Sequence, residues 1–274
     1  MEKVGLRLSQ WLLKRKDLIE NGVIVFIGPG HNGGDGAVVA RELFLKGYDV
    51  AFWCPFPVRK KLTIKQLNYI TSIGVRKLDN LPDPFNRKLW IDAILGNNQN
   101  KGINNQVIKM FNKKFDSGIG KIVSIDIPTG LCPNSGKVFS KSAIKSNFTL
   151  STGFKKIGIL QDEAIPYVGK IINIDIGLSQ NYFLKESKKI LSISGKDIKN
   201  LSLVLPSKNA SKYNRGRTLL ITGSNKYLGA ASLVVKGALA SGVGLVKILV
   251  PEVIAKSIWQ VAPEVVIEGY LESS

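Results

Sequence analysis

Apolar residues along this chain follow two rhythms that take turns. Short unbroken runs rich in β-branched side chains, such as VIVFI at 23–27, suit strands buried on both faces, whereas spacing of three and four residues marks one side of a helix. A glycine-rich turn follows VIVFI, and then DGAVVARELFLKGYDV. There Ala37, Val39, Ala40, Leu43 and Phe44 recur at helical intervals, Asp35 is placed to cap the first turn, and Gly47 ends the helix. VAFWC at 50–54 returns as a strand and completes a βαβ unit, for which a right-handed crossover is expected.

The alternation continues downstream. KQLNYITSI reads as helix, KLWIDAI as strand, NQVIKMFNKKF as helix and KIVSIDI as strand, with further strands around NFTLS (147–151) and KIINIDI (170–176). Such alternation predicts a Rossmann-like three-layer α/β/α domain with a mostly parallel sheet over residues 1–178. Residues 179–208 are polar and lysine-rich and read as a connector, with a short helix around 195–201. A second α/β pattern begins at 209, with RTLLIT as strand, ASLVVKGALAS as helix, GLVKILVP as strand and an apolar helix near 253–261. Two or three strands are too few for an independent α/β domain, so residues 209–274 are expected to form part of an incomplete one.

Composition narrows the function classes. At 274 residues and 44% hydrophobic content the chain can fill a sizeable core. No segment approaches the roughly 20 apolar residues of a membrane span, and the first twenty residues are too charged for a secretory leader. A cytoplasmic protein without a membrane partner is therefore expected. Cys54 and Cys132 lack the neighbours of a disulfide framework or a zinc site and read as reduced thiols. The net charge of +19 is carried by dispersed pairs such as Lys60-Lys61, Lys113-Lys114, Lys155-Lys156 and Lys188-Lys189, without interleaved aromatic residues. That pattern fits a compositional bias toward Lys, Asn and Ile better than a nucleic-acid surface.

The candidate chemistry begins at GPGHNGGDG, residues 28–36. Gly28, Gly30 and Gly33 satisfy G-x-G-x-x-G between a strand and a helix, where a phosphate-binding turn belongs. A dehydrogenase would also carry an acidic residue at the end of its second strand, and Trp53-Cys54-Pro55 stand there instead. Ligands of open parallel sheets bind beyond the carboxyl ends of the strands. IDAILGNNQNKG, with Asp92 and Gly96, and SIDIPTGLCP, with Asp126 and Thr129, should therefore converge with the glycine loop on one crevice. Asn32, Asp92 and Thr129 offer oxygen donors suited to a hard cation, and Asp126 remains for proton transfer. Simpler readings stay open for each: a tight turn with a capping Asp35, a turn-forming Asp92, an Asx turn at Asp126, and His31 as a loop residue that touches ligand.

HNGGDG, IDAILG and DIPTG, in that order and on those strands, resemble the NAD(P)H-hydrate epimerase domain, the YjeF N-terminal fold, from MEKVG to NIDIGLS. The resemblance implies interconversion of the R and S epimers of hydrated NADH and NADPH at C6 of the nicotinamide ring. It implies nucleotide contacts from His31, Asn32, Gly33, Gly34 and Asp35, from Gly96, Asn97, Asn98, Gln99, Asn100, Lys101 and Gly102, and from Asp126. It also implies a potassium ion among Asn32, Asp92 and Thr129, Asp126 as the acid/base group, and Lys156 of FKKIGIL as support for developing charge. His31 departs from the family's asparagine, Asn97-Asn98 from its Thr-Gly, and Thr129 from its serine. Homo-oligomers are the family's habit.

SKYNRGRTLLITGS and the residues after it resemble the opening of the ADP- or ATP-dependent hydrate dehydratase, a ribokinase-like fold. Its nucleotide would be needed only by a full-length dehydratase domain, so no dehydratase activity is expected from this chain. Both ends look truncated against the family pattern. The alternative of a different class is a non-catalytic nucleotide-binding module of the same fold, disfavoured by the presence of both Asp92 and Asp126.

Overall fold

The computed structural model describes residues 1–103, 105–179, 193, 195–200, 207 and 209–271, and the chain divides into two compact units, Met1–Ser187 and Lys188–Ser274. The first unit begins with helices α1 (Glu2–Leu13) and α2 (Lys16–Ile19), followed by β1 (Val23–Ile27), α3 (His31–Leu45), β2 (Val50–Trp53), α4 (Lys61–Ser72) and β3 (Arg76–Lys77). It continues with β4 (Leu89–Ala93), α5 (Asn105–Ser117), β5 (Ile122–Ile125), β6 (Phe148–Thr152), α6 (Ile165–Val168) and β7 (Lys170–Ile174). The strands form one sheet in the order β3-β2-β1-β4-β5-β6-β7, and every neighbouring pair is parallel. This is the Rossmann-like arrangement expected from the alternating pattern.

Alternate residues of a strand face opposite sides of the sheet, so β1 feeds two cores. Val23, Val25 and Ile27 pack with Leu8 and Leu12 of α1, Ala37, Ala40 and Leu43 of α3, and Ile70 of α4. Ile24 and Phe26 pack on the other side with Trp90 and with Ile108 and Phe111 of α5. Phe26 lies with its ring centroid 4.7 Å from Trp90 and 4.4 Å from Phe111. One lysine enters this layer. Lys114 is wholly buried, its ammonium donating to Asn86 O at 2.7 Å and Ile119 O at 3.1 Å, 4.8 Å from the Trp90 ring centroid. Burial lowers its pKa to about 8.

Going outward from the sheet centre, the chain runs through β2 and β3 on one side of β1 and through β4 to β7 on the other, so the connections after β1 and β4 leave in opposite directions. Their carboxyl ends flank a crevice. The glycines of the loop after β1 are accounted for largely by packing there. A Cβ on Gly28 would stand 1.7 Å from Ile94 O, one on Gly33 2.1 Å from Gly28 O, and one on Gly36 2.4 Å from Ala93 Cβ. At Gly30 a Cβ would meet nothing within 4 Å. Close approach lets α3 start earlier than its polar residues suggest: its N-cap is Gly30, without a side-chain cap. Asp35 therefore does not cap the first turn as expected but lies one turn inside the helix.

In the second unit, α7 (Gly195–Asn200) lies where the short helix was expected, and most of the rest of residues 179–208 falls outside the described residues. Then come β8 (Arg217–Ile221), α8 (Leu228–Ala240), β9 (Leu245–Val250), α9 (Glu252–Val261) and β10 (Val266–Tyr270). The three strands pair in parallel in the order β10-β9-β8. Ala231 and Val235 of α8, Val246, Ile248 and Val250 of β9, and Ile254 and Ile258 of α9 share one core. Among the described residues no helix is long and apolar enough to cross a membrane.

Candidate functional site

Asp92 stands opposite Ser124 in the β4–β5 register. Its carboxyl is completely buried and takes four hydrogen bonds, from Ile94 N (3.2 Å) and Thr129 Oγ1 (2.7 Å) on one oxygen and from Ser124 Oγ (2.8 Å) and Thr129 N (2.9 Å) on the other. Among the described residues it has no ion-pair partner. Burial pushes its pKa above the usual carboxylate range, although the four donors pull the other way. Thr129 Oγ1 in turn accepts from Leu95 N at 3.0 Å. The Asn32 amide donates to Leu95 O at 3.0 Å and to Ile125 O at 3.4 Å, and Gly96 leaves the room it fills. The ends of β1, β4 and β5 are thus tied together around Leu95.

Asp126 follows β5 with φ at +71°, in the left-handed region that Asp and Asn tolerate better than other side chains. Holding it there costs about 1–3 kcal/mol, which the surrounding bonds offset. Asn97 N donates to Oδ2 at 2.9 Å, Thr152 Oγ1 donates to Oδ1 at 2.7 Å, and the Lys156 ammonium forms an ion pair with Oδ1 while also donating to Thr152 O at 2.9 Å. Those bonds reach across strands, so the carboxyl serves the crevice and not an Asx turn before Pro128. Among the described residues Oδ2 takes a single donor and is the oxygen left with capacity.

Asp35, on the second turn of α3, is mostly buried and lies 3.7 Å from the Met1 ammonium. Burial raises its pKa to about 7 against the opposing pull of the Met1 ammonium, and the negative charge of Asp126 adds to the rise.

The remaining expected positions divide by burial. Gly33 and Gly34 are packing positions, Gly34 against Met1 and Thr63. Gln99 turns inward, donating to Pro128 O at 3.2 Å and accepting from Gly130 N at 2.8 Å, so its side chain braces the two loops. His31, Asn97, Asn98, Asn100 and Lys101 are exposed; of these, Asn97 alone is hydrogen-bonded to the cluster among the described residues, through its backbone. Gly102 lies against Ser140. Sequence reasoning missed Ser124, which supports Asp92, and Thr152, which supports Asp126. Thr152 ends β6, and extending the strand-end rule to that strand would have found it. Two surface hollows, of about 500 Å³ beside Asn112 and Lys141 and about 480 Å³ beside Arg76 and Asn86, contain none of these residues. The crevice is preferred because buried, mutually bonded polar groups gather there.

A family model described as YjeF-related protein N-terminus matches residues 1–158, which include the glycine loop, Asp92, Asp126 and Lys156. The chain belongs to this family. YjeF-related relatives include the bifunctional NAD(P)H-hydrate repair enzyme Nnr of Gloeobacter violaceus, 32% identical over 97% of this chain and 54% of the relative. The NAD(P)H-hydrate epimerase of Lentilactobacillus buchneri is 31% identical over 65% of this chain and 83% of that protein. The crystal structure of yeast ynu0 shares the fold, with a TM-score of 0.56 and 22% identity over 72% of this chain and 86% of that one. The chain spans about half the length of the bifunctional relatives it matches.

Proposed function

We propose that the YjeF-related unit, residues 1–178, interconverts the R and S epimers of hydrated NADH and NADPH at C6 of the nicotinamide ring. The observation that carries this reading is Asp126, a strand-end carboxylate held in a left-handed conformation and clamped by Lys156, Thr152 and Asn97 N beside the glycine loop. The names of the relatives supply the substrate. Epimerisation requires a bond between C6 and oxygen or nitrogen to break and re-form, and a carboxylate within hydrogen-bond reach can move the proton involved. Oδ2 of Asp126 is the atom we assign to that transfer. Lys156 holds Oδ1 and is placed to balance negative charge as the bond changes. The exposed edge of the crevice, His31 and the loop from Gly96 to Gly102, would receive the rest of the nucleotide.

A potassium ion among Asn32, Asp92 and Thr129 fits the chemistry of these residues. A fully buried carboxyl with only neutral donors favours either a proton or a nearby cation, and the neighbouring groups are the hard oxygens of Thr129, Leu95 and Ile125. In the present arrangement the Asn32 amide nitrogen faces both carbonyls; a half-turn would present its oxygen. Bound there, the ion would supply fixed positive charge at the strand ends.

We read residues 209–274 as part of the fold of the partner dehydratase, joined through 179–208. The test of the epimerase reading is chromatographic: purified S-hydrate of NADH is incubated with the protein and appearance of the R epimer is followed. Asp126→Asn is expected to lower the rate about 10²- to 10⁴-fold. A wild-type rate equal to the uncatalysed one, with no effect of the substitution, overturns the assignment.

A further inference from the structure

The nucleotide of the proposed reaction has two ends, and Asp126 accounts for one of them. The strand order β3-β2-β1-β4-β5-β6 puts the glycine loop at the reversal, with the end of β5 on one side and the end of β2 on the other. Dinucleotides lie across such a reversal, with the diphosphate over the loop after the first strand and the adenosine ribose at the end of the second. With the nicotinamide at Asp126, the path crosses the loop after β4 and the start of α3 at His31. It ends at β2, three strand spacings or roughly 14 Å from β5.

What stands there suits a phosphate. A carboxylate at the end of β2 would bind the ribose hydroxyls and repel a 2′-phosphate; Trp53 holds the place instead, its ring edge-on to Phe26 with centroids 5.8 Å apart. The chain then runs through Pro55 and Pro57 to Arg59, Lys60 and Lys61. Two hydrogen bonds hold this segment against the glycine loop: Arg59 N donates to Pro29 O at 3.3 Å, and Thr63 Oγ1 donates to Gly30 O at 2.9 Å. The three basic residues are exposed, and among the described residues none of them forms an ion pair. Between Asp49 and Asp79 the chain carries six Lys and Arg and no Asp or Glu, whereas over the whole molecule bases outnumber acids only 39 to 20. The excess of positive charge is therefore local to this edge of the crevice.

We propose that Arg59, Lys60 and Lys61 bind the 2′-phosphate of hydrated NADPH, so that this site prefers the hydrate of NADPH to that of NADH; this rests on the epimerase reading above. A phosphate monoester carries close to two negative charges at neutral pH. A guanidinium can take two of its oxygens at once, and the ammonium groups add point charges. The ribose hydroxyl of the other hydrate gains nothing comparable. The group being read is remote from C6, so these residues act through binding and take no part in the bond changes.

The test is kcat/KM of the whole chain for the S-hydrates of NADPH and NADH, wild type against the combined Arg59→Ala, Lys60→Ala and Lys61→Ala variant. The wild type is expected to favour the NADPH hydrate by about 10- to 100-fold, and the triple substitution to bring the two close to parity, chiefly through KM. Raised ionic strength should erode the wild-type preference in the same direction. In parallel, adenosine 2′,5′-bisphosphate should compete with substrate more strongly than adenosine 5′-monophosphate in the wild type and lose that advantage in the variant. Equal kcat/KM for the two hydrates in the wild type, a preference that survives the triple substitution, or a variant that loses the same factor on both hydrates overturns the inference and leaves the epimerase reading standing. Wild-type protein that turns over neither hydrate removes both together.

Discussion

The two sheets of this molecule are built from similar strands and finished differently. β1 of the first unit, VIVFI, is buried at every position, with α1, α3 and α4 on one face and α5 on the other. β9 of the second, LVKILV, is also central, yet its burial alternates, and α8 and α9 share a single core with it. On its neighbour β8, Leu219 and Ile221 are 53% and 65% exposed. Parallel sheets are ordinarily covered on both faces, whereas among the described residues of the second unit α8 and α9 cover one face only. The lysine in each sheet's layer follows the same division. Among the described residues Lys114 is buried without an ion pair, with Asp83 the carboxylate that acts on it, whereas Lys247 lies half-exposed and pairs with Glu268 at 2.8 Å.

The sharpest way to break this comparison is to truncate one large apolar side chain in each sheet. Trp90→Ala, in the doubly covered layer, should destabilise the first unit by about 3–5 kcal/mol, read as a lower urea midpoint by circular dichroism. A smaller effect concerns Lys114. Its folded pKa, about 8, lies below the ordinary 10.5, so between those values the unfolded chain binds more protons and stability rises with pH. Relative to Lys114→Met, the wild type should gain at most about 3 kcal/mol from this group across that window. A pH-independent difference between the two would show that the ammonium is not desolvated. The smallest change belongs to the open face: Leu219→Ala should stay within about 0.5 kcal/mol, and a loss comparable to that of Trp90→Ala would mean that this face is covered.

The same contrast explains what could be read from the chain alone. Strands buried on both faces appear as unbroken apolar runs, so β1 (VIVFI) and β2 (VAFW) stand out by inspection, and β4 and β5 carry a single polar residue each. β3, a two-residue strand of Arg76 and Lys77, has no such signature and exists because Ala51 and Phe52 offer an edge. At the site, the residues with distinctive chemistry at strand ends, Asn32, Asp92, Asp126 and Thr129, could be picked out in advance. Their supports could not, because Ser124 meets Asp92 through strand register and Thr152 meets Asp126 across β6, and register is not written in either segment. The bracing role of Gln99 was hidden for a related reason: a polar loop residue reads as a surface contact until the loop it braces is known. The capping role expected of Asp35 failed because packing glycines moved the start of the helix.

The left-handed backbone at residue 126 also limits how this site can decay. Among non-glycine residues, asparagine and aspartate are the ones that tolerate that geometry readily, so the substitution easiest on the fold is also the one that deletes the carboxylate. If Asp126 carries the proposed proton transfer, a folded descendant with most of its activity gone is a single exchange away.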